Sequence, residues 1–328
     1  MTKATIEQTL AAVAAALGEA GVNEHSAQAV ARALVGAEAD GLKGHGLSRL
    51  PSYLAQVRSG KIDPRAVPVV TRTATSILRI DAAHGFAYPA LELAVEQLPA
   101  IARETGIAAA AIHRSHHCGA AGLVVERLAD QGLASLLFAN TPGAIAPWGG
   151  TTALFGTNPI AFGCPRVNGA PVVIDMSLSK VARGNILAAK QNGTPIPEGW
   201  ALDAQGQPTT DPVAALAGTM LPLGDAKGTA LALMVELLAA GLTGAQYATD
   251  ASSFLDDKGG PPSTGQLIIV FDPQKLGGDG VLRHIEQLAA AIEAQEGARI
   301  PGSRRIASRE KSAAEGIELP EMLKSPTV

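Results

Sequence analysis

The sequence predicts a soluble, mixed α/β protein whose chain begins and ends in helices. Apolar residues recur at helical spacing from Thr5 to about Tyr53. Short apolar runs bounded by glycine, which are typical of buried strands, follow from about residue 70 onward. Helical periodicity returns between residues 280 and 295. A chain of 328 residues, 47% of them hydrophobic, is long enough to form one large or two intermingled domains.

The first element is an amphipathic helix that begins after Thr5, where Thr5 and Gln8 form a capping-box pattern. Two more helical segments follow, separated by breaks at residues 21–23 and 41–46. The N-terminus has no basic region followed by an apolar core, so we expect no export signal. Cys118 and Cys164 have neither the spacing of a disulfide framework nor that of a zinc site. We therefore expect a cytoplasmic protein.

The middle of the chain alternates between strand and helix patterns. Asn168-Gly169 favours a tight hairpin, and the Pro- and Gly-rich residues 180–226 form a long excursion, which is usually functional at that length. The run from Thr229 to Leu242 contains Glu236 and is too short to span a bilayer, so we expect a buried core helix. Predicted strands cover 76–81, 107–112, 134–139, 160–164, 172–175 and 266–271; predicted helices cover 90–104, 119–131, 180–191, 228–242 and 280–295.

The composition argues against a nucleic acid or a membrane as a partner. The formal net charge is -4 and both signs are mixed along the chain, so no strong electrostatic field results. Aromatic residues make up only 3% of the chain, which leaves few rings for base stacking. A small-molecule ligand is the better expectation.

The stretch from Asp40 to Tyr53 carries the strongest chemical signal. His45 lies between two glycines, four residues before Arg49. Glycine permits a sharp turn and a close approach by a ligand, histidine exchanges a proton near neutral pH, and arginine binds a carboxylate with a fixed fork. The pattern indicates an acid/base group beside an anion-binding arginine. A glycine-rich turn with a solvated histidine and a surface arginine is an equally good interpretation of this stretch alone.

A second candidate segment, residues 116–119, lies where a strand passes into a helix. Its backbone N–H groups are therefore suited to a phosphate at a helix N-terminus. A metal site at His116-His117-Cys118 is disfavoured because adjacent strand residues point to opposite faces and no further ligand set has suitable spacing. Cys118 as a nucleophile is also disfavoured, since no activating base is indicated.

Other polar groups each have two interpretations. Thr157 either donates its hydroxyl to a substrate or belongs to an ordinary Asn-Pro turn. Asp175 and Ser177 either bind ribose hydroxyls at the end of a strand or cap a helix. Lys227 either contacts a phosphate or is a solvated helix end. Arginines near the C-terminus either pair with phosphates or form a solvated surface, namely Arg299, Arg304 and Arg305.

The sequence contains neither the Gly-x-Gly-x-x-Gly pattern after a strand nor a Walker-type loop, so a standard Rossmann domain is not indicated. A series of ordered motifs nevertheless closely resembles the type 2 malate/L-lactate dehydrogenase family over almost the whole chain. These motifs are Gly44-His45-Gly-Leu-Ser-Arg49, Ser115-His-His117, Ala146-Pro-Trp-Gly149, Phe155-Gly-Thr-Asn-Pro-Ile-Ala-Phe162, Ile174-Asp-Met176, Pro197-Glu-Gly-Trp200, Pro208-Thr-Thr-Asp-Pro212, Lys227-Gly228 and Ile300-Pro-Gly-Ser-Arg-Arg305.

The resemblance implies an NAD(P)-dependent oxidoreductase with a non-Rossmann dinucleotide fold, generally a homodimer, that acts on a small carboxylic acid. In this family's pattern His45 is the proton donor or acceptor, and Arg49 and Thr157 hold the substrate. The cofactor is NAD or NADP, and no metal is implied. The implied cofactor-binding residues are His117, Cys118, Gly119, Ala120, Ala121, Asp175, Met176, Ser177, Asp225, Lys227, Pro301, Gly302, Arg304 and Arg305. We expect a helical part at 1–70, an α/β dinucleotide-binding region at 71–272, and a C-terminal helical segment at 273–328 that packs on the first part.

Two departures from the family bear on the substrate. The imino-acid-reducing members resemble this chain but carry a serine before the catalytic histidine, where this chain has Gly44. They also carry an aspartate where this chain has Asn185. Neither Gly44 nor Asn185 supplies a negative charge that would raise the pKa of His45. We therefore expect a 2-hydroxy acid and 2-oxo acid pair of the malate, lactate or sulfolactate type. The alternatives are a Δ1-pyrroline- or Δ1-piperideine-2-carboxylate reductase and a non-catalytic dinucleotide-binding homologue.

Overall fold

The computed structural model describes residues 3–324. The α-helices of this part are α1 (Ile6–Glu19), α2 (Glu24–Ala39), α3 (Leu50–Arg58), α4 (Ala87–Thr105), α5 (Ala121–Ala129), α6 (Arg183–Asn192), α7 (Pro212–Ala217), α8 (Ala226–Glu236), α9 (Pro273–Gly277), α10 (Val281–Glu293) and α11 (Ser303–Glu315). Short 3-10 helices cover Lys43–His45, Leu47–Arg49 and Glu321–Leu323, and α8 continues as a π-helix over Leu237–Gly241.

The strands are β1 (Lys3–Ala4), β2 (Val69–Ala74), β3 (Ile77–Asp81), β4 (Ile107–Ser115), β5 (Ala134–Ala139), β6 (Ile160–Cys164), β7 (Val172–Met176), β8 (Ala201–Leu202), β9 (Pro208–Thr209), β10 (Thr219–Met220), β11 (Thr264–Phe271) and β12 (Ile317–Glu318). Seven of them form the main sheet in the order β2-β3-β4-β11-β5-β6-β7, in which only β3 and β4 pair in parallel. A Rossmann sheet is mostly parallel. The predicted α/β class and its non-Rossmann arrangement are confirmed.

The helical start agrees with its sequence signals. Thr5 accepts the N–H of Gln8 while the Gln8 side chain accepts the N–H of Thr5, which is the predicted capping box. The buried faces of α1 and α2 pack together and continue into the core that lies under the main sheet. At the other end of the chain β12 pairs with β1, and the Ser312 hydroxyl of α11 donates to the Ala39 carbonyl of α2. The C-terminal segment therefore packs on the N-terminal helices.

The strand–helix–strand unit from β4 through α5 to β5 is present, but the two strands are not neighbours. β11, which comes more than a hundred residues later, lies between them and pairs antiparallel with both. The hairpin predicted around Asn168-Gly169 is present, since β6 and β7 are antiparallel neighbours joined by residues 165–171. Within this connection Arg166 binds Glu286 and Glu293 of α10.

The prediction that residues 229–242 form a buried core helix is wrong for part of that run. Ala232, Val235 and Ala239 are fully buried in a second apolar core, but five larger side chains keep 37% to 73% of their surface exposed. These five residues form what we call the α8 apolar surface: Leu231, Leu233, Met234, Leu237 and Leu242. The run is apolar on all sides, so its periodicity does not distinguish the core face from a surface that faces outward.

Four strands had no sequence signal that identified them. β2 lies at the edge of the sheet with mostly exposed residues, and the three short strands β8, β9 and β10 form a small sheet inside the predicted excursion. Within residues 3–324, no helix has both the length and the apolar character needed to cross a bilayer.

Candidate active site

The sheet brings the predicted site segments to one edge. The register sets Ser115 at the end of β4 opposite Thr264, and Ala139 at the end of β5 opposite Gln266. Ile160, at the start of β6, pairs with Met176 at the end of β7. These strand ends all lie at one end of the sheet, where ligands commonly bind in open α/β sheets. The segments found there are residues 116–121, 140–141, 157–159 and 175–177.

His45 is held in a tight turn between α2 and α3. Glu38 of α2 accepts the N–H of Leu47 at 2.9 Å, and a Cβ at position 46 would lie 2.2 Å from Oε2 of Glu38. Gly46 is thus required by close packing, whereas Gly44 has open space around its Cα. Nε of Arg49 donates to the Gly44 carbonyl at 2.6 Å. The turn fixes an imidazole and a guanidinium next to each other, as the sequence predicted.

The His45 ring stacks on the ring of His117, with 5.3 Å between centroids and 21° between planes. Its Nδ1 is buried and has no hydrogen-bond partner within residues 3–324. Burial, followed by the positive charge of Arg49, lowers the pKa of His45 to about 4. The imidazole is therefore neutral near pH 7.

His117 is hydrogen-bonded to a buried chain of two tyrosine hydroxyl groups. Its Nδ1 lies 2.7 Å from the hydroxyl of Tyr53, and that hydroxyl lies 2.9 Å from the hydroxyl of Tyr88. Tyr88 packs against Gly119, where a Cβ would lie 2.7 Å from the Tyr88 hydroxyl and where φ is +69°. Burial raises the pKa of Tyr53 to about 12, so both phenols stay protonated. Two tyrosines thus fix the orientation of His117.

Replacing Tyr53 with phenylalanine is expected to lower the free energy of unfolding by about 1–3 kcal/mol, because the buried His117 Nδ1 and Tyr88 hydroxyl lose their shared partner. Urea unfolding followed by circular dichroism measures this change. Tyr247→Phe is the matched control, since Tyr247 is 45% exposed. Equal unfolding free energies for the two variants would show that the hydroxyl chain contributes nothing to stability.

A strap formed by residues 253–258 packs against His116 and His117. The Phe254 ring lies 4.9 Å from the His116 ring and 5.3 Å from the His117 ring. Gln56 ties the strap down, because it donates to the Phe254 carbonyl and contacts Nε2 of His116 at 2.8 Å. The Lys61 ammonium is fully buried beneath the strap and donates to three backbone carbonyls, those of Ser253, Asp256 and Lys258.

Thr157 is positioned by a buried carboxylate. Its N–H donates to the Thr141 hydroxyl at 2.8 Å, and the next residue, Asn158, donates to Glu236 at 2.7 Å. Glu236 also accepts bonds from Asn140 and from the N–H of Ala248, so one side chain joins three loops. Burial raises the pKa of this carboxyl. Within residues 3–324, no hydrogen bond joins Thr157 to His45 or Arg49.

The segments proposed for the cofactor meet beside α5. Asp175 accepts the N–H of Gly122, in the first turn of α5, at 2.7 Å. The Asp175 side chain keeps solvent access, although desolvation by neighbouring groups raises the pKa of its carboxyl. The Pro301 carbonyl accepts the N–H of Val173, and Gly302 packs directly against Val173. The N-terminus of α5, strand β7 and residues 301–302 are thus held together.

Arg304 and Arg305 differ in their surroundings. Arg305 contacts Asp40 at 3.0 Å and Glu126 at 3.3 Å, where Arg309 binds the same two carboxylates. Arg304 is exposed and makes no ion pair within residues 3–324. The sequence interpretation of Arg305 as a phosphate ligand did not include these carboxylates, which already pair with its charge.

The structure also places three further predicted residues, Asp225, Lys227 and Cys118. Asp225 precedes α8 with a left-handed φ of +57°, and Lys227 lies in the first turn of that helix. Cys118 is buried, and its pKa is raised to about 12, which makes its thiolate scarce. Within the described part of the chain, no group of three or more His, Cys, Asp or Glu side chains is arranged to hold a metal ion.

Several site residues had no assigned role in the sequence analysis. They are Gln56, Lys61, Tyr88 and Phe254, with Tyr53 noted only as the end of a motif. Their partners are 35 to 198 residues away in the sequence, so no local pattern identifies them.

A model of the malate/L-lactate dehydrogenase family matches residues 4–325. The chain belongs to this family. A (2R)-3-sulfolactate dehydrogenase (NADP(+)) of Chromohalobacter salexigens is 56% identical over 94% of this chain and 91% of that protein. A Δ1-pyrroline-2-carboxylate reductase of Ancylobacter novellus is 45% identical over 93% of this chain and 90% of that protein.

Solved structures of the malate/L-lactate dehydrogenase family agree with the fold. A Δ1-piperideine-2-carboxylate reductase from Pseudomonas syringae superposes with a TM-score of 0.93 at 38% identity, covering 98% of both chains. A sulfolactate dehydrogenase from Methanocaldococcus jannaschii gives a TM-score of 0.89 at 30% identity, covering 98% of this chain and 94% of that one. The predicted family and the NAD(P)-dependent oxidoreductase class are confirmed.

Proposed function

We propose that the protein interconverts a small 2-hydroxy acid and its 2-oxo acid, with His45 as the proton donor or acceptor. The observation that carries this proposal is the neutral His45 imidazole in the same turn as Arg49. A carbonyl or hydroxyl oxygen needs one proton-exchanging group beside it, and a carboxylate needs a guanidinium. Further support comes from the 56% identity to a sulfolactate dehydrogenase.

Residues beside the N-terminus of α5 would hold the dinucleotide. Gly119 and Gly302 both have left-handed φ values and close neighbours. Met176 at the end of β7 is 40% exposed, and its side chain suits contact with a flat apolar ring. Arg304 offers an exposed cation for a phosphate. The full proposed set is His117 to Ala121, Asp175 to Ser177, Asp225, Lys227, Pro301, Gly302, Arg304 and Arg305. When bound, the nicotinamide would supply or accept the hydride.

The protein's own residues would perform the remaining work. Arg49 would bind the substrate carboxylate and fix its orientation, and Thr157 would bond a neighbouring oxygen. His45 would take the proton from the hydroxyl during oxidation and return it to the oxygen during reduction. His117 would keep the His45 ring in place through their stacking. The Phe254 ring would limit the access of water to His116 and His117.

The pH profiles of the two directions are expected to differ. Oxidation requires neutral His45, and a pKa of about 4 means that the ring is already neutral at higher pH, so kcat/KM should be flat between about pH 6 and 9. Reduction requires the protonated ring, so its kcat/KM should fall about tenfold per pH unit over the same range. Because a bound carboxylate offsets the charge of Arg49, kcat for reduction should decline at higher pH than kcat/KM. An oxidation profile that rises through pH 7 would contradict this assignment.

The decisive experiment is NADPH and NADH oxidation by the purified protein against a panel of acceptors. Turnover of pyruvate, oxaloacetate or sulfopyruvate would support the proposal, and comparing the two cofactors would give the preference between them. Turnover of pyrroline-2-carboxylate or piperideine-2-carboxylate alone would overturn the proposal and support the imine reductase alternative. Two relatives, named as such reductases, are the reason to include these acceptors. Dinucleotide binding without turnover of any acceptor would favour the non-catalytic alternative.

We also propose that two copies of the chain form a homodimer through the α8 apolar surface. Support comes from its five exposed large side chains and from the dimers that the family resemblance implies. Sedimentation velocity is expected to give twice the 33.3 kDa chain mass, and Leu237→Glu is expected to give monomers. Leu276→Glu, which changes an exposed leucine of α9, is the control. A monomeric wild-type protein would refute this assembly.

The cytoplasm is the proposed location, which both cysteines support because neither forms a disulfide in the described chain. We further propose that residues 1–70 and 273–328 act as one helical unit beside the α/β region of residues 71–272. The pairing of β1 with β12 and the bonds from Arg309 to Asp40 support this division.

A further inference from the structure

Arg183, the first residue of α6, is partly buried and has no hydrogen-bond or ion-pair partner within residues 3–324. Its Nε is buried and makes no hydrogen bond within residues 3–324. Burial is the one cause that lowers the pKa of its guanidinium, and no carboxylate acts against it. Enclosing an unpaired charge costs free energy unless a ligand supplies the missing partner. The site described above does not use this side chain.

The other enclosed arginines show how unusual this is. Five arginines of the described chain are not exposed: Arg49, Arg166, Arg183, Arg305 and Arg309. Three of them bind carboxylates of the protein itself, as Arg166 does with Glu286 and Glu293. Arg49, the proposed carboxylate ligand, and Arg183 have no such carboxylate. Both guanidinium groups are therefore available for an anion that comes from outside the chain.

The backbone connects Arg183 to the proposed substrate segment through residues 178–182. The N–H of Leu178 donates to the Thr157 carbonyl at 2.7 Å, so the strand end and the Thr157 turn are directly joined. The buried Ser179 hydroxyl donates to the Val181 carbonyl at 2.7 Å and fixes the two residues before α6. Val181 and Ile186 then anchor this segment in the second apolar core. Arg183 thus begins a fixed helix five residues after the bond to Thr157.

We propose that Arg183 binds a second acid group of the substrate, a sulfonate or a carboxylate, so that dianionic 2-oxo acids are preferred over monoanionic ones. This inference rests on the proposed function, because it assigns Arg49 to the carboxylate next to the reacting carbon. A guanidinium matches the planar or tetrahedral oxygens of either acid group through paired hydrogen bonds. A substrate without the second acid group would leave this charge enclosed and unpaired.

The test compares sulfopyruvate with pyruvate, which differ in the second acid group. In Arg183→Met, kcat/KM for sulfopyruvate is expected to fall about 100-fold, mostly through KM, and the loss for pyruvate should be at least tenfold smaller. Arg183→Lys should lie between the wild type and Arg183→Met. Lys190→Met, an exposed change on the same helix, is the matched control and should behave like the wild type. The Kd for NADPH, measured by fluorescence, should stay unchanged in all three variants.

Equal losses for both acids together with a raised Kd for NADPH would overturn the proposal, since Arg183 would then bind a phosphate of the dinucleotide. Unchanged kinetics in Arg183→Met would also overturn it. Calorimetry with sulfoacetate and acetate separates this proposal from the proposed function, because it needs no turnover. Wild-type protein that reduces only cyclic imines refutes the proposed function. Arg183-dependent binding of sulfoacetate in that same protein supports the second anion site, and its absence refutes it.

Discussion

Replacing His45 with alanine is expected to lower kcat about 10²- to 10⁴-fold, which is the usual contribution of a positioned general acid or base. The neighbouring groups cannot take over its role easily. The Tyr53 hydroxyl already engages Nδ1 of His117, and the thiol of Cys118 has a pKa of about 12. The loss should appear in kcat and kcat/KM together, because the missing interaction acts in the transition state.

Two controls make the His45 result specific. His25→Ala removes an exposed histidine of α2 and should retain full activity. The Kd for NADPH of His45→Ala, measured by fluorescence, shows whether the site is still assembled. If His45→Ala turns over the preferred substrate at the wild-type rate, the proton-transfer residue is wrongly assigned, and the stacked His117 becomes the next candidate.

Replacing Lys61 with methionine is expected to lower the free energy of unfolding by about 3–5 kcal/mol, because three backbone carbonyls lose a charged donor that is itself fully buried. The ammonium bonds the carbonyls of Ser253 at 2.5 Å, Lys258 at 2.8 Å and Asp256 at 3.1 Å. These bonds hold the strap that carries Phe254. Denaturant unfolding measures the stability, and kcat at a temperature where the variant stays folded measures the state of the site.

The matched control for Lys61 is Lys258→Met. Lys258 lies in the same strap, but its side chain is exposed and only its carbonyl takes part in the contact. We expect this control to unfold like the wild type. Equal unfolding free energies for Lys61→Met and Lys258→Met would show that the buried ammonium is not what secures the strap.

The sequence predicted those features that depend on neighbours along the chain. The capping box at Thr5 and the strand cores at 107–112, 134–139 and 266–271 were found because periodicity and capping act locally. The His45 and Arg49 turn was found for the same reason, since both groups lie in one short segment. The resemblance to a family added the distant segments, which comparison with known relatives then supported at the level of the family.

Features that depend on distant contacts were not predicted. The role of Lys61 depends on carbonyls almost 200 residues away, and that of Tyr53 depends on His117. The exposed side of residues 229–242 was missed because a run with apolar residues on every side gives no indication of which side faces the core. Arg305 was interpreted without Asp40 and Glu126, whose charges the folded chain brings to it.

The position of β11 between β4 and β5 has a consequence for how the protein is made. Synthesis proceeds from the N-terminus, so β4 and β5 leave the ribosome long before residues 264–271. Until then both strands present unpaired edges, which favour aggregation. The segments that carry His117 and Thr157 follow β4 and precede β6, and the sheet that positions both is complete only after the late strand has inserted. We therefore expect nascent chains that stop before residue 271 to depend on chaperones and to lack the assembled site.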